Sequence, residues 1–134
     1  MLIDHKMIFI LEPGPPSQLR FPTITPSVVV VNWGPPEMTG GNITKYRVSY
    51  RLRDDTSPPI VRPSLVGTKY TDTVIDLSRE RYYIFEVAAF TVGGGWGEKA
   101  VGKIFTTQGG NIDGRINIFC FPGFHIDELK ISIL

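Results

Sequence analysis

The chain has 134 residues, 42% of them hydrophobic and 20% charged, which suffices for one buried core and excludes wholesale disorder. Its formal net charge of +1 argues against nucleic acid or an anionic membrane surface as main partner, since both demand a concentrated basic surface. The single cysteine, Cys120, permits no intrachain disulfide, cysteine zinc site or dithiol pair, so stability must come from packing.

Residues 1–12 read as an N-terminal extension. The uninterrupted apolar run from Met7 to Leu11 falls short of the roughly 7–15 residues of a signal-peptide core and has no small-residue cleavage site behind it. No stretch reaches the ~20 apolar residues of a membrane helix, because Pro122, Asp127, Glu128 and Lys130 break up the C-terminal part, so direct membrane insertion is not expected. Glu12-Pro13-Gly14-Pro15-Pro16-Ser17 is too rich in Pro and Gly to enter a sheet interior and reads as an inter-module linker.

A first strand, A, follows with Leu19 and Phe21 inward, held to a sheet edge by Pro22 and Pro26. Strand B runs from Val28 to Trp33 and stops at Gly34-Pro35-Pro36. After Gly40-Gly41, strand C carries the cleanest period-2 signal: Tyr46, Val48, Tyr50 and Leu52 inward, Lys45, Arg47, Ser49 and Arg51 outward. Such alternation belongs to a half-solvated antiparallel sheet. The turn Asp54-Asp55-Thr56-Ser57-Pro58-Pro59 leads to a weak edge strand C′, Ile60 to Val66, with Pro63 at its centre.

Strand E is expected over Thr73 to Leu77 and strand F over Tyr82 to Phe90, separated by an ordinary polar turn. Gly93-Gly94-Gly95-Trp96-Gly97 reads as a loop, and strand G runs from about Ala100 to Thr107. Its phase stays open: either Val101, Lys103 and Phe105 face inward or Ala100, Gly102 and Ile104 do, and each set holds one poor core residue. The tail 109–134 contains the apolar cluster Ile116 to Phe121. It reads as an added strand, a truncated second module, or a segment foreign to the domain, and its lack of turn punctuation favours the last.

Trp33-Gly34-Pro35-Pro36, the run Ile43-Thr44-Lys45-Tyr46-Arg47-Val48-Ser49-Tyr50, and Leu77 followed by Tyr83 to Ala89 closely resemble the fibronectin type III family. The resemblance covers residues 13–108. It implies an all-β, immunoglobulin-like sandwich of seven antiparallel strands in sheets A-B-E and C′-C-F-G. It also implies a structural core of Trp33, Tyr46, Val48, Leu77, Tyr83 and Val87, with Leu77 and Tyr83 forming a tyrosine corner at the E–F crossing. Two departures matter. The E–F turn, Ser78-Arg79-Glu80-Arg81, lacks the usual Pro or Gly, and the F–G loop lacks an Arg-Gly-Asp, so integrin binding is not implied. Asp113-Gly114-Arg115 in the tail has those residues in reverse order and carries nothing over.

No catalytic, cofactor or metal site is expected. Both histidines, His5 and His125, lie outside the domain, and Asp54-Asp55 reads as a solvated turn. Asn42-Ile43-Thr44 fits the N-glycosylation acceptor pattern on the B–C loop. Trp96, alone in a glycine loop, is a protein-binding candidate, against the alternative that it folds back over its own sheet. Met38 and Tyr70 lie in loops that this family gathers at the same end as F–G, so they extend the candidate into an apical patch. Outward on strand F, Tyr82, Ile84 and Phe90 neighbour the cations of strand C and offer a side interface, with Glu86 expected to pair across strands. The resemblance implies a non-catalytic protein-binding and spacer module, flanked by other modules, of an extracellular or cell-surface adhesion or receptor protein. The alternative is a mechanical module of a cytoplasmic filament-type giant.

Overall fold

The computed structural model describes residues 12–108. His5, the Met7–Leu11 run, Cys120, His125, Asp113-Gly114-Arg115 and the Ile116–Phe121 cluster lie outside the described residues. Nine strands and no helix make up the described part: β1 (Ser17–Ile24), β2 (Val29–Gly34), β3 (Ile43–Leu52), β4 (Ile60–Val61), β5 (Leu65–Val66), β6 (Thr71–Val74), β7 (Tyr82–Thr91), β8 (Gly95–Trp96) and β9 (Ala100–Phe105). One sheet has the order β1-β2-β6. In the other, β4 and β5 pair with one side of β3, while β7 pairs with its other side and carries β8 and β9. All pairings are antiparallel, as the A-B-E and C′-C-F-G expectation requires.

The core follows from alternation. Val29, Val31 and Trp33 of β2, Tyr46 and Val48 of β3, and Tyr83, Phe85, Val87 and Ala89 of β7 are buried and meet between the sheets. Leu19 and Phe21 of β1 pack on this cluster, Phe21 edge-on to Phe85 at 5.6 Å. That ring also decides the phase of β9. Ile104 is buried whereas Val101 and Phe105 are exposed, so Ala100, Gly102 and Ile104 face inward. Gly102 is the apparent poor core residue, yet a Cβ there would stand 2.7 Å from the Phe21 ring. The missing side chain is the room that Phe21 occupies.

Three elements differ from their sequence expectation. Strand E is Thr71–Val74, not Thr73 to Leu77: Asp76 turns into the left-handed region at φ 63° and Ile75 is left exposed. Leu77 is still buried, as a turn residue whose N–H donates to the Ser27 carbonyl at 3.0 Å. Strand C′ is two short pieces on either side of Pro63, which has no N–H for the ladder. The third is the F–G glycine stretch, where Gly95–Trp96 forms a paired strand.

Polar contacts close the ends. The Tyr83 hydroxyl accepts from the Ser78 N–H at 2.9 Å, which completes the tyrosine corner. Glu80 adopts φ 53° in the turn that lacks Gly. That turn is tied to the end of β9 by the buried Thr106, whose Oγ1 donates to the Ser78 carbonyl at 2.7 Å and accepts from the Arg81 N–H at 2.9 Å. At the opposite edge Arg62 grips Asp72 through two bonds of 2.9 and 2.8 Å and also donates to the Thr73 carbonyl. This pair joins the β4–β5 edge of one sheet to β6 of the other.

Candidate functional site

The apical loops do not stand open. Pro13 is fully buried; Glu98 N–H donates to its carbonyl at 3.2 Å, and Gly14 N–H donates to the Met38 carbonyl at 2.8 Å. Gly97 lies against Pro13 so closely that an added Cβ would collide with the Pro13 carbonyl oxygen. The entering chain is thus clasped between the B–C and F–G loops. The Met38 side chain projects beyond the clasp, 71% exposed. Tyr70 takes a different course: its ring lies 5.7 Å from that of Tyr46, which in turn lies 5.6 Å from Trp33, so Tyr70 caps an aromatic file leading out of the core. Burial pushes the Tyr46 phenol up to about 12, with the neighbouring Tyr70 adding to the effect. Neither the Tyr46 hydroxyl nor the Trp33 indole nitrogen has a hydrogen-bond partner among the described residues.

Trp96 goes elsewhere. Thr91 Oγ1 accepts from Gly94 N–H at 2.9 Å and Gly95 takes φ 75°, which turns the chain back so that Trp96 pairs with Phe90. On a paired strand the side chain must stand on one face of the sheet, here the outer one. The Trp96 and Phe90 rings meet edge to face at 5.0 Å. The Arg47 guanidinium lies 4.1 Å from the indole centroid and Lys45 Nζ 4.4 Å from the Phe90 ring. An aromatic pair and an exposed cation–π contact contribute on the order of 0.5–1.5 kcal/mol each. Together they match the ordering cost of about one or two backbone residues, enough to hold the indole half-buried on the sheet.

At the far end of this face Tyr82 lies 4.2 Å from the Arg53 guanidinium, with Lys103 at 5.8 Å and the Phe105 ring at 4.6 Å. Phe105 enters through the phase of β9, which its own sequence left open. The Glu86 carboxylate between the two clusters pairs with Lys99 at 3.3 Å, a residue of the F–G segment and not of the strand C row. The outer face of β3-β7-β8-β9 therefore alternates rings and cations, and it gathers Trp96 with Phe90 and Tyr82 while Met38 and Tyr70 remain at the pole. The Arg47–Trp96 contact had no local signal, because it depends on the pairing of β8 with β7.

Asn42 is exposed just before β3, and Thr44, the third sequon position, is exposed with its hydroxyl 3.4 Å from the Phe90 carbonyl. Asp54 pairs with Arg53 at 3.1 Å, and Asp55 accepts from the Ser57 N–H, which holds its carboxyl below the usual carboxylate range. The two carboxylates serve separate turn contacts. Among the described residues no group of three or more His, Cys, Asp or Glu is placed to hold a metal ion.

Comparison with known proteins agrees with this architecture. Residues 14–103 match the Fibronectin type III domain model. Human Protein sidekick-1 is 35% identical over 96 residues, 72% of this chain and 4% of that protein. Mouse Netrin receptor DCC is 35% identical over 72 residues, 52% of this chain and 5% of that protein. The chain thus spans only a small fraction of the length of these relatives. A solved FN3 domain of human collagen XX superposes with a TM-score of 0.60 at 22% identity, covering 70% of this chain and 91% of that one, a likeness of fold. Sandwich topology, tyrosine corner and family match converge, and the chain belongs to the fibronectin type III domain family.

Proposed function

We propose that the chain is a non-catalytic recognition and spacing module of a larger extracellular or cell-surface adhesion or receptor protein, and that it contacts a protein partner through the outer face of β3-β7-β8-β9, centred on Trp96. The observation that carries the reading is the half-buried indole held between Phe90 and Arg47 on an open sheet face. A large aromatic already ordered by its neighbours loses little entropy on binding, the property of an interface hot spot. The clasp on Pro13 and Gly14 serves the spacing role, since it orients whatever precedes the module. Relatives that include a protein named as a netrin receptor support the surface setting. In that setting Asn42 carries an N-linked glycan at the same end of β3 as Lys45 and Phe90.

The test is binding of the multimerised chain to cells. Trp96→Ala is expected to weaken binding by at least about fivefold, the ~1 kcal/mol of a hot-spot residue. Thermal melting of the variant confirms that it folds. If Met38→Ala and Tyr70→Ala remove binding while Trp96→Ala leaves it intact, recognition is apical. A mass shift on deglycosylation of secreted protein, absent in Asn42→Gln, reads out the glycan.

A further inference from the structure

We propose, resting on the reading of this face as the recognition surface, that its partner is an acidic protein segment lying extended along β3. The outer positions of β3 and its exit carry Lys45, Arg47, Arg51 and Arg53, and Lys103 faces them from β9. The carboxylates on and beside this face are already matched: Glu86 with Lys99 and Asp54 with Arg53. Among the described residues no carboxylate pairs with Lys45, Arg47 or Lys103, whereas Arg51 donates to the Leu52 and Arg53 carbonyls and lies within the charge influence of the Asp55 carboxylate. The face therefore holds an excess of cations that the fold does not neutralise, on a chain whose net charge is only +1.

Arg47 rests on Trp96 and Lys45 on Phe90, so the charges are ordered before a partner arrives. A guanidinium lying on a ring keeps in-plane N–H groups for a carboxylate. Alternate positions on a strand stand roughly 6.7 Å apart, which is also the spacing of alternate carboxylates on an extended chain. Across β7 from the β3 cations, on either side of Lys103, stand apolar groups, Val101 at 61% and Phe105 at 40% exposure. Covering these requires apolar side chains, which a protein segment brings and a sulfated polysaccharide does not. Nucleic acid is a poor fit because so few cations neutralise only a short stretch of backbone.

The experiment titrates the isotope-labelled full chain with three probes: a dodecapeptide of alternating Glu and Val, one of alternating Lys and Val, and a heparin octasaccharide. The Glu–Val peptide is expected to shift the Lys45, Arg47, Phe90 and Trp96 resonances, with affinity falling at least about fivefold between 50 and 200 mM salt. Arg47→Glu should weaken it by about tenfold or more, while Arg20→Glu on the other sheet makes the same charge change without effect. Binding of heparin but not of the Glu–Val peptide overturns the proposal in favour of a glycan. Equal binding of both peptides, or equal loss with Arg20→Glu, overturns it as unspecific. The cell-binding assay separates this from the broader reading. If Trp96→Ala abolishes binding and Lys45→Glu with Arg47→Glu does not, the face recognises a partner that is not acidic; if neither matters, the recognition reading itself fails.

Discussion

The N-terminal pole and the outer face of the β3-β7-β8-β9 sheet both carry exposed aromatic or apolar side chains, but they use them differently. At the pole the chain's own entry segment takes the space: Pro13 is buried, Gly97 sits against it, and Tyr70 leans at a tilt on Tyr46 of the core. On the sheet face Trp96 and Phe90 are ordered by Lys45 and Arg47 yet stay half open. A glycine-rich loop is thus not an open loop. Its glycines permit close approach to Pro13 and the left-handed turn at Gly95, and the tryptophan goes where strand pairing sends it.

The largest expected effect distinguishes the two tryptophans. Trp33→Ala should cost about 3–5 kcal/mol in denaturant titration, because the sandwich cannot close the cavity left beside Tyr46. Trp96→Ala should cost about 1–3 kcal/mol, the sum of its ring and cation contacts. Similar losses for both would place Trp96 in the core and erase the contrast.

The next test breaks the clasp. Gly97→Ala forces a methyl against Pro13 and should destabilise by about 1–3 kcal/mol, with faster hydrogen exchange at the Gly14 and Glu98 amides. Unchanged exchange would mean that the entry segment is not held.

A smaller effect depends on pH. The Tyr46 phenol is neutral in the fold, and its value of about 12 lies above the ordinary 10 of an unfolded chain. Stability from the neutral phenol is therefore complete below pH 10 and lost as pH climbs from 10 through 12. Tyr46→Phe should remove that alkaline loss. At neutral pH it should change stability little, because the hydroxyl has no partner among the described residues to lose. A marked loss at neutral pH would reveal a bond to the hydroxyl.

The smallest effect is expected from trimming. We propose residues 13–108 as the folding unit, and a fragment with those ends should melt cooperatively within a few degrees of the full chain. The clasp begins at Pro13, so starting the fragment at residue 15 should lower the melting temperature where starting at 13 does not.

Much of the sandwich is legible in the residue pattern. Tyr46 and Val48 alternate with Lys45, Arg47 and Ser49, Phe85 and Val87 flank Glu86, and a period of two sends each set to one face wherever the strands lie. Trp33, Leu77 and Tyr83 are legible through family resemblance, and Asn42 through a local triplet. Less is visible of the site. Lys45, Arg47, Tyr82 and Phe90 can be placed together on an outward face, but not their ring contacts.

Composition, alternation and turn residues determined the all-β class, the two long central strands and the alternating part of the core, because those depend on neighbours within a few positions. The tertiary structure alone decided the rest. The phase of β9 required Phe21 to arrive from β1 and fill the space above Gly102. The union of Arg62 with Asp72 required two sheet edges to meet, and Thr106 required the E–F turn to reach the end of β9. The direction of Trp96 required β8 to pair with β7. Each of these is a contact whose free energy comes from groups distant in sequence, so no local pattern of residues encodes it.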